Sequence, residues 1–175
     1  MEIKATKVEN TTQALEFQNS IEIQVPVSGV FEYVTDMRNL PQWNYDVTRV
    51  VQERGTSPAP GACYLQTQNT DDQRYEISHF EPGKSLTIQA LPNSKPVFER
   101  EMRFEAVVNG TRLTDQWSIH KCPDILDRWA MGTMSAAIAE NLGKLKELLE
   151  TGRTELQNGR ISRVASLSGL PPTAG

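Results

Sequence analysis

FEREMRFEAVVNGTRLTDQWSI, residues 98–119, contains two strand-like arms on either side of Asn109-Gly110. Asn and Gly tolerate the positive φ that a type I′ turn requires, so the dipeptide predicts an antiparallel hairpin closing between Val108 and Thr111. This register puts four pairs on one face: Ala106 with Leu113, Phe104 with Asp115, Met102 with Trp117, and Arg100 with Ile119. The opposite face carries charged and polar residues, so the first face is predicted to point inward.

Two ionisable residues, Arg100 and Asp115, therefore share the inner face of the hairpin. A buried charge needs a partner or water. Asp115 can contact a ligand hydroxyl or carbonyl, or act as a general acid or base; the alternatives are a carboxylate bonded to nearby backbone or arginine, or a local slip in register. Arg100 can bind a ligand carboxylate or phosphate, or extend its stem over apolar surface with its guanidinium in water.

The composition narrows the class of protein. A chain of 175 residues predicts one main domain, and a net charge of −4 without a basic stripe argues against nucleic acid. Its apolar runs are far shorter than the roughly 20 residues of a membrane span, and the N-terminus lacks a signal-peptide pattern, so we expect a cytoplasmic protein. Cys63 and Cys122 are predicted to be free thiols. No phosphate, nucleotide or metal motif is present, so no cofactor and no metal are expected.

The segment before the hairpin predicts a strand, two short helices and more strands. Alternation in SIEIQV, residues 20–25, predicts a first strand that Pro26 ends. Ser28 is predicted to cap a short helix, and RNLPQW, residues 38–43, predicts a second. A strand at 47–54 follows.

Three further strands are predicted between residues 62 and 91. In ACYLQTQ, residues 62–68, one face carries Cys63, Leu65 and Thr67. In RYEISHF, residues 74–80, one face carries Tyr75, Ile77 and His79. The third, SLTIQAL, residues 85–91, groups Leu86, Ile88 and Leu91 less regularly. His79 is a candidate general base, although a single histidine without a Ser or Cys partner also fits a satisfied polar residue.

A long helix is predicted from Pro123 to about Gly152, which suits the position after a helix end. Its inward stripe consists of Leu126, Ala130, Met131, Met134, Ala137, Ile138, Asn141, Leu142, Leu145, Leu148 and Leu149. On its outer side, small residues form a row: Gly132, Ala136, Ala139 and Gly143. This row allows a second copy of the chain to approach closely in a homodimer. The simpler account is that these are small surface residues with no role in an interface.

The order of elements predicts an α+β domain in which the long helix covers an antiparallel sheet. We expect a flexible N-terminal segment over residues 1–14, one domain over residues 15–152, and a mobile tail over residues 153–175.

Four segments resemble the START-like superfamily, in particular its polyketide cyclase/dehydrase and lipid-transport branch: IEIQVPVSGVFEYVTDMRNLPQWNYDVTRV, FEPGKSLTI, GTRLTDQWSI and NLGKLKELLE. The likeness covers residues 17–150 and is strongest from Val30-Phe31 through Asp36, Pro41 and Trp43, and at Gly110-Thr111. Ser28-Gly29 stands where relatives more often have a longer helix start. The resemblance implies a helix-grip fold, with about seven antiparallel strands curved around a C-terminal helix over a deep hydrophobic cavity.

Candidate site residues follow from the inner faces and from this resemblance. The catalytic candidates are Asp115 and His79. The ligand-binding candidates are Arg100, Asp115, Trp117, Met102, Phe104, Tyr75, His79, Met131, Met134, Ile138, Trp43 and Tyr45. The resemblance places Trp43 and Tyr45 near one mouth of the groove, where Trp43 gates entry or only plugs the end of the sheet. The apolar candidates fit cavity walls and ordinary core equally well.

Three functions remain open at this level. The first is binding of a hydrophobic small molecule, such as a lipid, isoprenoid, quinone or aromatic polyketide-like compound. The second is a cyclase or dehydratase that uses Asp115 or His79 to move protons in the same cavity. The third is an assembly factor whose outer helix and tail bind another protein.

Overall fold

A computed structural model describes residues 14–92, 94, 96–120 and 126–165, and the side chains of residues 126–131 lie outside that description. The elements in chain order are strand β1 (Leu15–Ile23), helix α1 (Val27–Thr35), a 3₁₀ helix (Met37–Gln42), strands β2 (Val47–Arg54), β3 (Cys63–Gln68), β4 (Asp72–Glu81), β5 (Ser85–Ala90), β6 (Val97–Val107) and β7 (Gly110–His120), helix α2 (Leu126–Thr151), and strands β8 (Arg153–Glu155) and β9 (Ile161–Arg163).

The main sheet has seven antiparallel strands in the order β1-β7-β6-β5-β4-β3-β2. Its edge strands, β1 and β2, are joined through α1 and the 3₁₀ helix. Helix α2 lies against the inner face of this curved sheet and packs on β1. The predicted α+β helix-grip fold is confirmed.

Helix α2 changes character along its length. In its C-terminal half, Leu142, Leu145, Leu148 and Leu149 are at most 1% exposed. In its middle part, Met134, Ala137 and Ile138 are only half-buried. The same inward stripe is therefore packed at one end of the helix and open at the other. The C-terminal half of α2 packs against the core, and its middle part covers a cavity.

The outer row of α2, Gly132, Ala136, Ala139 and Gly143, is exposed as the helix period predicted. The homodimer that this row allows stays a prediction. None of the helices within the described residues is long and apolar enough to cross a membrane.

The β6–β7 hairpin forms, but its predicted register is wrong by two residues. Gly110 pairs with Val107, so the two-residue loop is Val108-Asn109 rather than Asn109-Gly110. Gly110 lies against strand β1, where a Cβ at this position would collide with the carbonyl oxygen of Ile23. Gly110 therefore serves the close approach of β1. A slip of two residues equals the side-chain period of a strand, so the inner face keeps the predicted residues.

Two other local predictions differ from the structure. Ser28 lies inside α1, whose N-cap is Pro26 without a side-chain hydrogen bond. Residues 153–163 are a paired hairpin rather than the start of a mobile tail, and Leu156 within it is buried. The predicted flexible segment 1–14 and the rest of the tail lie almost wholly outside the described residues, as does Cys122. Cys63 is a buried free thiol.

Candidate functional site

A cavity of about 430 Å³ lies between the inner face of the sheet and the middle of α2. Its lining comes from the 3₁₀ helix and the segment after it, from inward positions of strands β3 to β7, and from α2. The lining residues are Leu40, Trp43, Asn44, Tyr45, Asp46, Gln66, Gln68, Thr70, Asp71, Gln73, Ile88, Pro96, Phe98, Arg100, Trp117, Met134, Ala137, Ile138 and Asn141. Such a volume suits one drug-sized molecule.

Arg100 and Asp115 form a buried ion pair beside this cavity. Arg100 Nε donates to Asp115 Oδ1 and Nη2 donates to Oδ2, each at 2.7 Å, in a two-pronged arrangement. Arg100 is 5% exposed and Asp115 is 0% exposed. The shifted register puts Arg100 opposite Trp117 and Asp115 opposite Met102, so the two charges are diagonal neighbours. The carboxylate balances the guanidinium charge where neither group meets bulk water.

Two indole rings flank the Arg100 guanidinium. Its Cζ lies 4.8 Å from the ring centre of Trp117 and 5.9 Å from that of Trp43. The Trp117 ring in turn packs between Phe17 and Phe98, with ring centres 6.1 and 5.3 Å away. Cation–π contact and this packing fix the arginine in the cavity wall.

Three polar groups in the wall retain hydrogen-bonding capacity. Arg100 Nη1, the side-chain amide of Gln66 and the indole Nε1 of Trp117 have no hydrogen-bond partner among the described residues. Gln66 is 7% exposed, so its amide lies in the protein interior. Arg100 Nη1 and the Gln66 amide are therefore the natural contacts of a bound molecule, whereas Trp117 Nε1 is fully enclosed by protein atoms.

Acidic residues line the polar side of the cavity. Asp46 Oδ1 accepts a hydrogen bond from Asn69 Nδ2 at 3.1 Å, and Asp71 Oδ1 accepts one from Thr70 Oγ1 at 3.3 Å. Neither carboxylate has an ion-pair partner in the described part of the chain. With Arg100 neutralised by Asp115, these aspartates give the lining a negative balance of charge.

The structure brings six of the predicted ligand-binding residues into the cavity wall: Arg100, Trp117, Met134, Ile138, Trp43 and Tyr45. Asp115 stands behind Arg100, where the guanidinium occupies both of its carboxylate oxygens. This arrangement matches the alternative prediction that the Asp115 carboxylate bonds to an arginine. Asp115 orients Arg100 and does not itself line the cavity.

The prediction that His79 faces the cavity is wrong. The β4–β5 pairing shifts between Ile77 and His79, which leaves Ser78 as an extra residue. A β-bulge of this kind reverses the alternation of side chains that follow it. His79 is therefore exposed and Phe80, instead, turns inward. His79 can act neither as a base nor as a ligand contact in this cavity.

Met102, Phe104 and Tyr75 face inward but pack in the core, away from the cavity lining. Phe104 meets Phe31 edge to face, with ring centres 5.0 Å apart, and Met102 is 1% exposed. Tyr75 stacks on Tyr64, and its burial raises the pKa of the phenol, so the hydroxyl stays protonated. The side chain of Met131 lies outside the described residues.

Several lining residues were not predicted, and Gln66 is the most informative of them. The alternation in β3 favoured the face of Cys63, Leu65 and Thr67, yet Tyr64 and Gln66 occupy the face toward α2. Tyr64 at an alternate position was the available signal. The loop residues Asn44, Asp46 and Asp71 carried no periodic signal.

Comparison with known proteins agrees with the fold. The sequence model of a family described as polyketide cyclase/dehydrase and lipid transport matches residues 14–150. The di-domain ARO/CYC StfQ from the steffimycin biosynthetic pathway is 17% identical, with a TM-score of 0.63 over 79% of this chain and 51% of its own, so this chain spans about half of StfQ.

A second solved structure, the Aha1 dimer from Colwellia psychrerythraea, is 19% identical, with a TM-score of 0.61 over 79% of this chain and 98% of its own. None of the curated proteins matches the chain. At these identities the structural likeness concerns the fold.

Proposed function

Since the chain belongs to the polyketide cyclase/dehydrase and lipid-transport branch of the START-like superfamily, we propose that it binds one neutral, largely apolar small molecule in the cavity under α2. The supporting observation is a cavity of about 430 Å³ whose wall combines aromatic and aliphatic carbon with three polar groups that lack partners among the described residues. Isoprenoid, quinone and aromatic polyketide-like compounds have this chemistry.

The charge of the wall supports a neutral ligand over an anionic one. Asp115 already compensates Arg100, and Asp46 and Asp71 add negative charge to the lining. A ligand carboxylate or phosphate would lose its hydration without gaining an unpaired cation among the described lining residues. Arg100 then serves as a donor to a carbonyl or hydroxyl oxygen through Nη1, with Gln66 as a further contact.

A matched pair of fluorescent probes tests this proposal. N-phenyl-1-naphthylamine is neutral, and 8-anilinonaphthalene-1-sulfonate carries the same ring system with an added sulfonate. We expect saturable one-to-one binding of the neutral probe and at least about ten-fold weaker binding of the sulfonate, because the sulfonate must be desolvated in a negative cavity. Fluorescence titration measures both. His79→Ala should bind like the wild type, since that side chain is exposed.

Failure of the neutral probe to bind, together with the absence of any copurifying apolar compound in native mass spectrometry, would contradict ligand binding. Tighter binding of the sulfonate would contradict the neutral class alone.

Filling the cavity from its roof provides the variant test. Ile138→Trp adds an indole at a half-buried lining position, and Ala139→Trp adds the same group at the next, exposed position of α2. We expect Ile138→Trp to weaken binding of the neutral probe by at least about ten-fold through loss of space, whereas Ala139→Trp leaves it unchanged. Equal affinities for the two variants, both folded by circular dichroism, would place the probe elsewhere.

The two other functions receive less support. The cyclase or dehydratase hypothesis assigned proton transfer to Asp115 or His79, yet the first is paired with Arg100 and the second is exposed. The assembly-factor hypothesis relied in part on a free tail, and residues 153–163 are paired in a hairpin.

A further inference from the structure

The C-terminal hairpin, residues 153–163, lies beyond the family match, which ends at residue 150. It folds back directly after α2: Gly152 N donates to Leu148 O at 2.8 Å, and Val164 N donates to Gly152 O at 3.0 Å. Leu156 is 2% exposed, so the hairpin is anchored by apolar burial. This hairpin thus lies outside the part of the chain that the family model matches.

Arg160 connects the hairpin to one wall of the cavity. Its Nη2 contacts three backbone carbonyl oxygens, those of Pro41, Asn44 at 3.5 Å and Val47 at 3.4 Å, with the Pro41 contact the shortest. These carbonyls bracket residues 43–46, which all line the cavity. Arg160 is half-buried, so its charge-assisted hydrogen bonds compete less with water than those of a surface arginine.

The same hairpin also touches the opposite wall. Gln157 Nε2 donates to Asn141 Oδ1 at 3.1 Å, and Asn141 lines the cavity from α2 with only 6% exposure. Thr154 Oγ1 donates to Glu147 on the same helix. The hairpin thus holds hydrogen bonds to both α2 and the segment after the 3₁₀ helix, and both of these elements line the cavity.

The segment that Arg160 holds is irregular and is tied to the rest of the fold at a few points. Trp43 is 3% exposed, and Asp46 accepts two hydrogen bonds from Asn69, one at its backbone oxygen and one at Oδ1, each at 3.1 Å. Trp43 N and Asn44 N both donate to Leu40 O, and Val47 N donates to Asn44 O at 3.3 Å. Residues 43–46 belong to no strand or helix. A loop with few backbone hydrogen bonds opens locally more readily than a helix or a strand, so each further contact, such as those of Arg160, restrains it.

We propose that the C-terminal hairpin is a brace for the cavity mouth, and that Arg160 is a positioning residue that holds Trp43 to Asp46 in the binding conformation. This inference rests on the proposed function for its effect on ligands. The contact of Arg160 with the loop stands on geometry alone. Removing the Arg160 side chain leaves the cavity wall in place but populates conformations in which the mouth is altered. The fraction of molecules in the binding conformation then falls, and the apparent affinity falls with it.

The test compares Arg160→Ala with Arg163→Ala, which removes the same side chain from an exposed position of the same hairpin. Amide hydrogen exchange of residues 43–47 and titration with N-phenyl-1-naphthylamine are measured on the full chain. For Arg160→Ala we expect exchange at residues 43–47 to accelerate and the probe affinity to fall, each by about ten-fold, the equivalent of one charge-assisted hydrogen bond. Arg163→Ala should match the wild type. Arg160→Lys should retain part of the slow exchange at residues 43–47 and part of the probe affinity.

Each outcome decides the proposal. Unchanged exchange at residues 43–47 in Arg160→Ala overturns the brace, and accelerated exchange with unchanged affinity overturns the positioning of the mouth for binding. Equal effects in Arg163→Ala would also overturn it, since they would reflect lost charge. If the wild type binds no probe, the proposed function fails, and the exchange data alone decide whether Arg160 restrains the loop.

Discussion

Asp115→Asn is expected to lower the free energy of unfolding by about 3–5 kcal/mol, the usual cost of removing one partner of a buried ion pair. The substitution is nearly isosteric, so it creates no cavity. It removes the negative charge that balances Arg100, whose guanidinium is largely buried between Trp43 and Trp117. The asparagine supplies one acceptor oxygen in place of two.

Urea unfolding at neutral pH measures this effect, with Glu53→Gln as the matched control. Glu53 pairs with Arg74 on the surface, at 3.1 Å, and exposed pairs contribute at most about 1 kcal/mol. We therefore expect a large loss for Asp115→Asn and a small one for Glu53→Gln. Similar losses for the two variants would mean that the buried pair does not differ energetically from a surface pair.

A double variant distinguishes the net stability contributed by the ion pair from the cost of leaving one buried charge unpaired. Replacing both members, as in Arg100→Met with Asp115→Leu, removes both charges and leaves apolar groups of similar size. Because two desolvated charges often contribute little net stability, this double variant is expected to be more stable than Asp115→Asn alone. It should also lose affinity for the neutral probe, since Arg100 Nη1 is a proposed ligand contact.

Gly110→Ala is expected to destabilise the fold by about 3 kcal/mol, at the upper end of the range for overpacking. The added methyl group would meet backbone atoms of Ile23, Gln24 and Val25. Backbone cannot rotate away as a flexible side chain can, so β1 must separate from β7 at their shared end. Thr111, whose Oγ1 donates to Val25 O at 2.7 Å in the same place, would lose that bond.

Gly143→Ala is the control, because it adds the same methyl group in the middle of α2 with no atom within 4 Å. Alanine favours helix over glycine by about 1 kcal/mol, so this variant should be slightly more stable than the wild type. Thermal and urea unfolding compare the two variants. A loss below about 1 kcal/mol for Gly110→Ala would contradict a tight packing of β1 against this position.

The fold was predictable because its strongest signals are periodic. Alternation along β1 and β6–β7 and the apolar stripe of α2 identify faces, and faces determine layers. The two-residue slip at the hairpin did no harm, since Arg100, Met102, Asp115 and Trp117 keep the same side of the sheet. In this hairpin, periodicity therefore predicted which side chains point inward, without predicting which of them touch.

The candidate site was less predictable because its remaining parts depend on tertiary packing. The bulge at Ser78 reverses His79, and nothing in the residue pattern of RYEISHF marks the extra residue. Tyr64 and Gln66 are buried on the inner face of the sheet, whereas the alternation in β3 favoured the other face. The link from Arg160 to the loop at residues 41–47 joins segments more than 110 positions apart through backbone carbonyls, which every residue possesses.

The position of Trp117 beside Arg100 has a practical consequence for measuring how a ligand enters the cavity. An indole in direct contact with both a guanidinium and the hollow emits light that depends on what occupies its neighbourhood, and a naphthylamine placed there would accept its excitation energy. The unlabelled protein can therefore report ligand binding through its own tryptophan fluorescence. Quenching of that fluorescence during stopped-flow mixing would follow the association and dissociation of a ligand in real time.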